Sequence, residues 1–99
     1  MKEIIFPLTL RLNSCGNPDR GENPNRPLPG VPYLKYPVDS FEEASSDVTG
    51  YINTYNLGSG NFAGGQLFNK DGDLVAQVSY NGRVWPPGEW TVDTKPLWG

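Results

Sequence analysis

Residues 14–37 restrict the fold of this chain more than any other segment. Six prolines and three glycines occur in these 24 positions, and no hydrophobic period runs through them. Proline lacks a backbone donor and glycine loses much conformational entropy on ordering, so neither a helix nor a central strand is expected here. We therefore predict a long Pro/Gly-rich arm that is mobile in its first half. Its second half contains apolar side chains and is predicted to lie extended against the body of the protein: Val31, Tyr33, Leu34 and Tyr36.

The segment before the arm alternates between apolar and other residues. Its apolar set is Ile4, Phe6, Leu8, Leu10 and Leu12. A period of two predicts a half-buried strand. Pro7 belongs to the outward set and has no N–H, which places this strand at an edge of the sheet or beside a bulge.

An amphipathic helix is predicted immediately after the arm. Ser40 and Glu43 have the spacing of a capping box, in which each side chain accepts a hydrogen bond from the other residue's backbone N–H. Gly58 is the glycine on which we expect the helix to end. Apolar residues recur at steps of three and four between these signals and form one face: Phe41, Ala44, Val48, Tyr51, Ile52 and Tyr55.

The second half of the chain has the pattern of an antiparallel meander. Strands are predicted at residues 62–69, 74–80 and 83–85, with tight turns between them and a short further strand at 90–92. The element order is therefore β-arm-α-β-β-β. We predict an α+β fold in a single domain of residues 1–99, with one amphipathic helix packed on a small antiparallel sheet.

Charge and composition exclude several classes of function. Eight basic residues are scattered along a chain of net charge −3, so nucleic-acid binding is not expected. No apolar run is long enough to span a bilayer. Glu3 and Arg11 interrupt the pattern of a secretory signal peptide, so a cytoplasmic location is expected.

Few residues offer catalytic or metal chemistry. The chain has no histidine, which removes imidazole bases and histidine-ligated metals. Cys15 has no neighbouring base or cation in the sequence to activate it. Residues 69–73 (NKDGD) resemble the start of a calcium loop, but Leu74 and Tyr80 stand where that loop requires glycine and glutamate. We predict a protein without enzymatic activity, metal or cofactor.

Residues 58–65, GSGNFAGG, have a glycine pattern typical of phosphate-binding loops. They follow a helix and precede a strand, which is the reverse of a dinucleotide-binding fingerprint. We favour a structural role, in which Gly64 and Gly65 permit a bulge or a close approach of two backbones. The alternative is an anion or nucleotide site formed by backbone amides with a basic counter-charge. Its candidate residues are Gly58, Ser59, Gly60, Asn61 and Arg83.

The sharpest interaction motif lies within the arm. Residues 26–32 read RPLPGVP, which resembles the R-x-L-P-x-x-P ligands of SH3 domains. In such ligands a polyproline helix seats two prolines in aromatic grooves and the arginine meets acidic residues. Two other interpretations are open: an arm packed on its own domain, which we favour, and an arm docked onto a second copy of the chain.

Aromatic residues of the last third of the chain either plug one end of a small sheet or anchor an interface. We expect a small non-catalytic protein-interaction or inhibitor module, whose partner is another protein or a second copy of itself, and we favour a homo-oligomer. A secreted sugar-binding domain is a further alternative. The candidate partner-binding residues are Arg26, Pro27, Leu28, Pro29, Pro32, Tyr33, Trp85, Trp90 and Trp98.

Overall fold

A computed structural model describes residues 4–88 and 91–99 of the chain. It has one α-helix packed on a five-stranded antiparallel sheet, which confirms the predicted α+β class. The strand order across the sheet is β2-β1-β3-β4-β5. The elements are β1 (Leu8–Leu12), β2 (Leu34–Val38), α1 (Phe41–Thr54), β3 (Gln66–Phe68), β4 (Leu74–Val78) and β5 (Val84–Trp85), with a short 3-10 helix at Pro18–Arg20.

The hydrophobic core lies between α1 and one face of the sheet. The alternation in β1 places Leu8, Leu10 and Leu12 on this face, and each is fully buried. α1 contacts β1, β2 and β4 and covers the same face with its apolar stripe. The buried apolar residues are Leu8, Leu10, Leu12, Val38, Ala44, Val48, Tyr51, Ile52, Leu57, Leu67, Val75, Ala76, Val78 and Val84.

The second half of the arm forms a strand, β2, which the sequence analysis did not assign. It pairs antiparallel with β1, with Leu10 opposite Tyr36 and Arg11 opposite Lys35. The strand β1 therefore lies inside the sheet, and the prediction that Pro7 marks an edge strand is wrong, because Pro7 precedes the first residue of β1. The outer strand is β2, and it contains Pro37.

The hydrogen bonds of β1 show which groups of β2 point outward. Gly65 N–H donates to the Arg11 carbonyl at 2.7 Å, so the polar backbone groups of Arg11 point toward the side of β3. These groups alternate along a strand, so those of Leu10 point to β2 and are met by those of Tyr36. Lys35 and Pro37 therefore direct their backbone groups away from the sheet. Because Pro37 has no N–H, this edge offers few donors to a further strand.

Ser40 caps the start of the helix as predicted, but the return bond of the capping box comes from Asp39 instead of Ser40, and the helix ends differently. The Ser40 hydroxyl accepts the Glu43 N–H at 3.0 Å, while the Glu43 carboxylate accepts the Asp39 N–H at 2.8 Å. At the other end Asn56, not Gly58, adopts the left-handed conformation, with φ of 53°. Leu57 N–H then donates to the Ile52 carbonyl at 3.0 Å, which is the long bond of a Schellman motif.

The last third of the chain closes the other side of the sheet. The strands β3, β4 and β5 are shorter than predicted, and Thr91 and Val92 are not in a strand. Trp90, the first residue of the predicted fourth strand of this meander, lies outside the described residues. Instead, Trp98 forms an antiparallel bridge with Val84 on β5. Within residues 4–88 and 91–99, no helix has the length and apolar character needed to cross a membrane.

Candidate interaction surface

The proline-rich arm is folded onto its own domain. Gly16 N–H donates to the Arg26 carbonyl at 3.0 Å, and Leu28 N–H donates to the Ser14 hydroxyl at 2.9 Å. Leu28 and Val31 pack against the core. The hydroxyl of Tyr51, on α1, donates to the carbonyl of Pro32 at 2.7 Å. These contacts support the interpretation of an arm packed on its own chain.

A turn interrupts the SH3-like motif. Val31 N–H donates to the Leu28 carbonyl at 3.3 Å, and Gly30 between them has φ of +78°. Proline at the second position and a positive-φ glycine at the third are typical of a type II turn. A continuous polyproline helix, which SH3 ligands require, is therefore absent from residues 28–31. The side chains of Arg26, Pro27, Pro29 and Pro32 are exposed.

Asn61 fastens the glycine loop to the arm. Its side chain is only 3% exposed and donates to the Cys15 carbonyl at 3.1 Å and to the Glu22 carboxylate at 3.2 Å. The same carboxylate accepts the N–H of Asn17 at 3.0 Å. The Asn17 N–H, and then the Asn61 amide, lower the pKa of Glu22 because they stabilise its charged form. Asn61 thus has a structural role at the junction of the two loops.

Gly64 and Gly65, at the end of this loop, allow other backbone segments to approach closely, as predicted. A Cβ at Gly64 would lie 2.8 Å from the Asn13 nitrogen, and one at Gly65 would lie 2.1 Å from the Val78 carbonyl oxygen. Ala63 N–H donates to the Asn13 carbonyl at 3.1 Å. The amides of residues 61, 63 and 65 all donate to backbone carbonyls.

Of the backbone amides assigned to the anion-site alternative, that of Asn61 already donates to the Gly58 carbonyl at 2.9 Å. Its proposed counter-charge, Arg83, lies in the turn between β4 and β5 and stands next to Gly99. Ser59 and Gly60 are exposed at the loop's surface. The anion site therefore stays a prediction.

A shallow groove lies between β2 and α1. Its volume is about 270 Å³, and its lining includes Leu34, Tyr36, Asp47 and Gly50. The Tyr36 hydroxyl donates to the Asp47 carboxylate at 2.8 Å. Burial raises the pKa of the Tyr36 phenol, and the negative charge of Asp47 raises it further. The phenol therefore stays protonated and donates to the Asp47 carboxylate, which links β2 to α1 across the groove.

We call the face of the sheet opposite α1 the open face; in the row of side chains described below, Lys35 is exposed and the other four residues are half-buried. One row of side chains crosses it, with one residue from each strand. Arg11 lies opposite Lys35 on β2, and it contacts Gln66 on β3 through a 3.1 Å hydrogen bond. Gln66 lies opposite Gln77, which lies opposite Trp85. The row therefore reads Lys35, Arg11, Gln66, Gln77 and Trp85, and it contains no carboxylate.

Aromatic rings flank the two cations of this row. The Arg11 guanidinium carbon lies 5.4 Å from the centroid of the Tyr33 ring, and the Lys35 nitrogen lies 5.3 Å from that of Phe68. Both distances are within the range of cation–π attraction. Arg11 is fixed further by a 2.7 Å hydrogen bond to the Ala63 carbonyl. Tyr33 remains 52% exposed, so the open face presents a charged and aromatic surface to solvent.

Two of the sequence-predicted partner-binding residues, Tyr33 and Trp85, lie on the open face. Trp98 lies instead at the edge beside β5, and Trp90 lies outside the described residues. Arg11 and Lys35 were not predicted as site residues. The outward set of the first strand contains Arg11, but its neighbours depend on the pairing register, which sequence alone does not provide.

The described part of the chain contains no cluster of three or more acidic, cysteine or histidine residues that could hold a metal. Comparison of the chain with protein-family models, with curated proteins and with solved structures finds no match.

Proposed function

We propose that this protein is a small non-catalytic interaction module of the cytoplasm that acts by presenting the open face. The observation that supports this proposal is the row of cationic, amide and aromatic side chains across all five strands. Aromatic residues and arginine are enriched where proteins bind one another.

Self-association is the favoured form of this interaction. A second copy of the chain offers a surface of opposite charge, since α1 carries Glu42, Glu43 and Asp47 and no basic residue, while the row on the open face carries only positive charge. Tyr33 extends the same surface toward the arm, and the Trp85 end extends it toward the C-terminal edge. Tyr33 and Trp85, two of the residues proposed from the sequence as partner-binding, therefore lie on one surface.

Sedimentation velocity over a range of protein concentrations tests this proposal. We expect the weight-average mass to rise above that of one chain as the concentration increases. Tyr33→Ala removes a half-exposed ring from the open face and should shift the association to higher concentration. Ile5→Ala is the control, because Ile5 is 64% exposed and lies near the N-terminus beside the β3–β4 turn. A single-chain mass at every concentration would contradict self-association.

A further inference from the structure

We infer that Arg11 and Lys35, on the open face, form a binding site for the carboxylates of an acidic segment in another protein. This inference rests on the proposed use of the open face as a contact surface and does not require self-association. The observation that carries it is a pair of neighbouring cations that contact no carboxylate among the described residues. Their contacts there are a carbonyl, an amide oxygen and two aromatic rings.

The two cations lie directly opposite each other on adjacent strands. Arg11 of β1 pairs with Lys35 of β2, and the backbone groups of Arg11 point toward β3, so this is a non-hydrogen-bonded pair. Side chains are closer in such pairs than in hydrogen-bonded ones. Like charges directly opposite each other destabilise a sheet. A local loss of stability of this kind is typical of functional sites.

Arg11 is held in position before a partner binds. One of its terminal nitrogens donates to the Ala63 carbonyl at 2.7 Å and to the Gln66 amide oxygen at 3.1 Å, while the guanidinium lies against the Tyr33 ring. A guanidinium has five N–H donors in a fork that matches a carboxylate, so donors remain on its other nitrogens. The side chain is half-buried, and shielding a cation from water without an opposite charge is unfavourable. A partner's carboxylate supplies that charge through short, charge-assisted hydrogen bonds.

Lys35 supplies a second positive charge without leaving its own contact. Its ammonium nitrogen lies 5.3 Å from the centroid of the Phe68 ring, and the side chain is exposed. The ring covers one side of the ammonium group, which has three N–H donors and leaves the others to solvent. An exposed contact between a cation and a ring is weak and does not neutralise the charge. A carboxylate therefore binds Lys35 from the solvent side while the ring stays in place.

The charge of the site and of the whole chain favours an acidic protein segment over other occupants. Two cations match a pair of carboxylates, whereas a chain of net charge −3 repels the dense phosphates of a nucleic acid. The helix α1 of a second copy is less suited to this site, because the carboxylates of Glu43 and Asp47 already accept hydrogen bonds within their own chain. The ring of Tyr33, which is 52% exposed beside Arg11, is typical of surfaces that bind proteins.

A fluorescently labelled oligoglutamate peptide tests the site, with the matched oligoglutamine peptide as the uncharged control. Fluorescence anisotropy measures the dissociation constant at a protein concentration where sedimentation gives a single-chain mass. We expect oligoglutamate to bind and oligoglutamine not to bind. Lys35→Glu should weaken binding by about tenfold or more, because it replaces an attraction with a repulsion. Lys70→Glu makes the same change in net charge in the exposed turn between β3 and β4 and should leave the constant within about twofold.

Urea unfolding of Lys35→Glu separates loss of the site from loss of the fold. The new carboxylate lies opposite Arg11, and opposite charges directly across two strands stabilise a sheet. The midpoint should therefore stay at or above that of the wild type while binding of oligoglutamate is lost. A lower midpoint would contradict the repulsion between like charges on which the inference depends, and would overturn it.

The remaining outcomes separate this inference from the proposed function. If oligoglutamate does not bind, or if Lys70→Glu weakens its binding as much as Lys35→Glu does, the inference is wrong. Self-association of the wild type that Tyr33→Ala weakens would still support the proposed function. Tighter binding of a single-stranded oligonucleotide than of oligoglutamate would identify a nucleic acid as the occupant and overturn the inference.

A variant of α1 distinguishes another protein from a second copy of the chain. Glu42→Gln removes an exposed carboxylate of α1 and leaves the open face intact. If the peptide does not bind and Glu42→Gln weakens self-association as strongly as Lys35→Glu does, the occupant of the site is α1 of a second copy. That result would overturn the inference of an acidic partner and support the proposed self-association.

Discussion

Gly65 and Gly50 show that the effect of a glycine-to-alanine substitution on the free energy of unfolding depends on the position of the glycine. Gly65 has φ of +98°, and a Cβ there would meet the Val78 carbonyl oxygen at 2.1 Å. Gly50 lies inside α1, and a Cβ there meets no atom within 4 Å. We predict that Gly65→Ala lowers the free energy of unfolding by about 2–4 kcal/mol, through backbone strain and overlap. Gly50→Ala should raise it by about 1 kcal/mol, because alanine is the better helix former.

Urea unfolding of the two variants checks these values. The opposite signs make the pair informative, since both variants add the same methyl group. Equal destabilisation by Gly50→Ala would mean that the groove between β2 and α1 is closed in solution. An unchanged midpoint for Gly65→Ala would contradict the close approach of residue 65 to β4.

At this scale the sequence predicted the kind of contact and not its partner. Gly64 and Gly65 were expected to let backbones approach, and they do so against β1 and β4. The end of the helix was assigned to Gly58 because glycine has no steric penalty at positive φ. Asn56 takes that conformation instead, since asparagine tolerates it and the following Leu57 is thereby buried. Burial of Leu57 depends on the tertiary fold, which explains the error.

Among the elements, the first half of the arm is attached in part through one carboxylate, that of Glu22. Glu22 accepts hydrogen bonds from Asn17 and Asn61, and these lower its pKa below the ordinary value of 4.5. A carboxylate whose pKa is lowered by folding stabilises the native state above the unfolded pKa. That contribution is lost as the pH falls through the folded value. Glu22→Gln should therefore flatten the loss of stability on acidification below about pH 4.5.

Urea midpoints measured at intervals from pH 6 to pH 3 test this expectation. Wild type and Glu22→Gln should differ most at the upper end of this range and converge toward its lower end. If the two curves stay parallel throughout, Glu22 does not hold the arm through its charged form. The amide of glutamine preserves the size of the side chain, so the comparison isolates the charge.

The strand β2 shows why an element can be hidden within a segment of unusual composition. Residues 34–38 read LKYPV, and because of Pro37 most of them were assigned to the proline-rich arm and not to a strand. A proline is tolerated there because β2 is the outer strand and the backbone groups of residue 37 point away from β1. The pairing of β2 with β1 spans more than twenty residues of chain. The local sequence pattern predicted an extended conformation for this segment. Which strand it pairs with could be determined only from the three-dimensional fold.

For the whole molecule, the helix, the meander and the α+β class followed from hydrophobic periods of 3.6 and 2. The open face could not be predicted from these periods. Its row joins residues 11, 35, 66, 77 and 85, which alternation assigns only to the outward side of each strand. Which outward residues become neighbours depends on strand order and on the register of four pairings. The candidate surface is therefore a property of the assembled sheet and not of any motif.

The arm and the body are predicted to unfold together, although composition favours a mobile first half of the arm. Cys15 N–H donates to the Asn61 carbonyl at 2.9 Å, and Val78 N–H donates to the Gly65 carbonyl at 2.7 Å inside the sheet. In native-state hydrogen exchange the two amides should have similar opening free energies, because Asn61 is buried between the arm and the body. Thr94 N–H, in an exposed local turn, is the control and should exchange much faster. A Cys15 amide that exchanges as fast as Thr94 would show that the arm opens independently, and residues 25–33, which precede β2, would then be available to a partner without unfolding of the sheet.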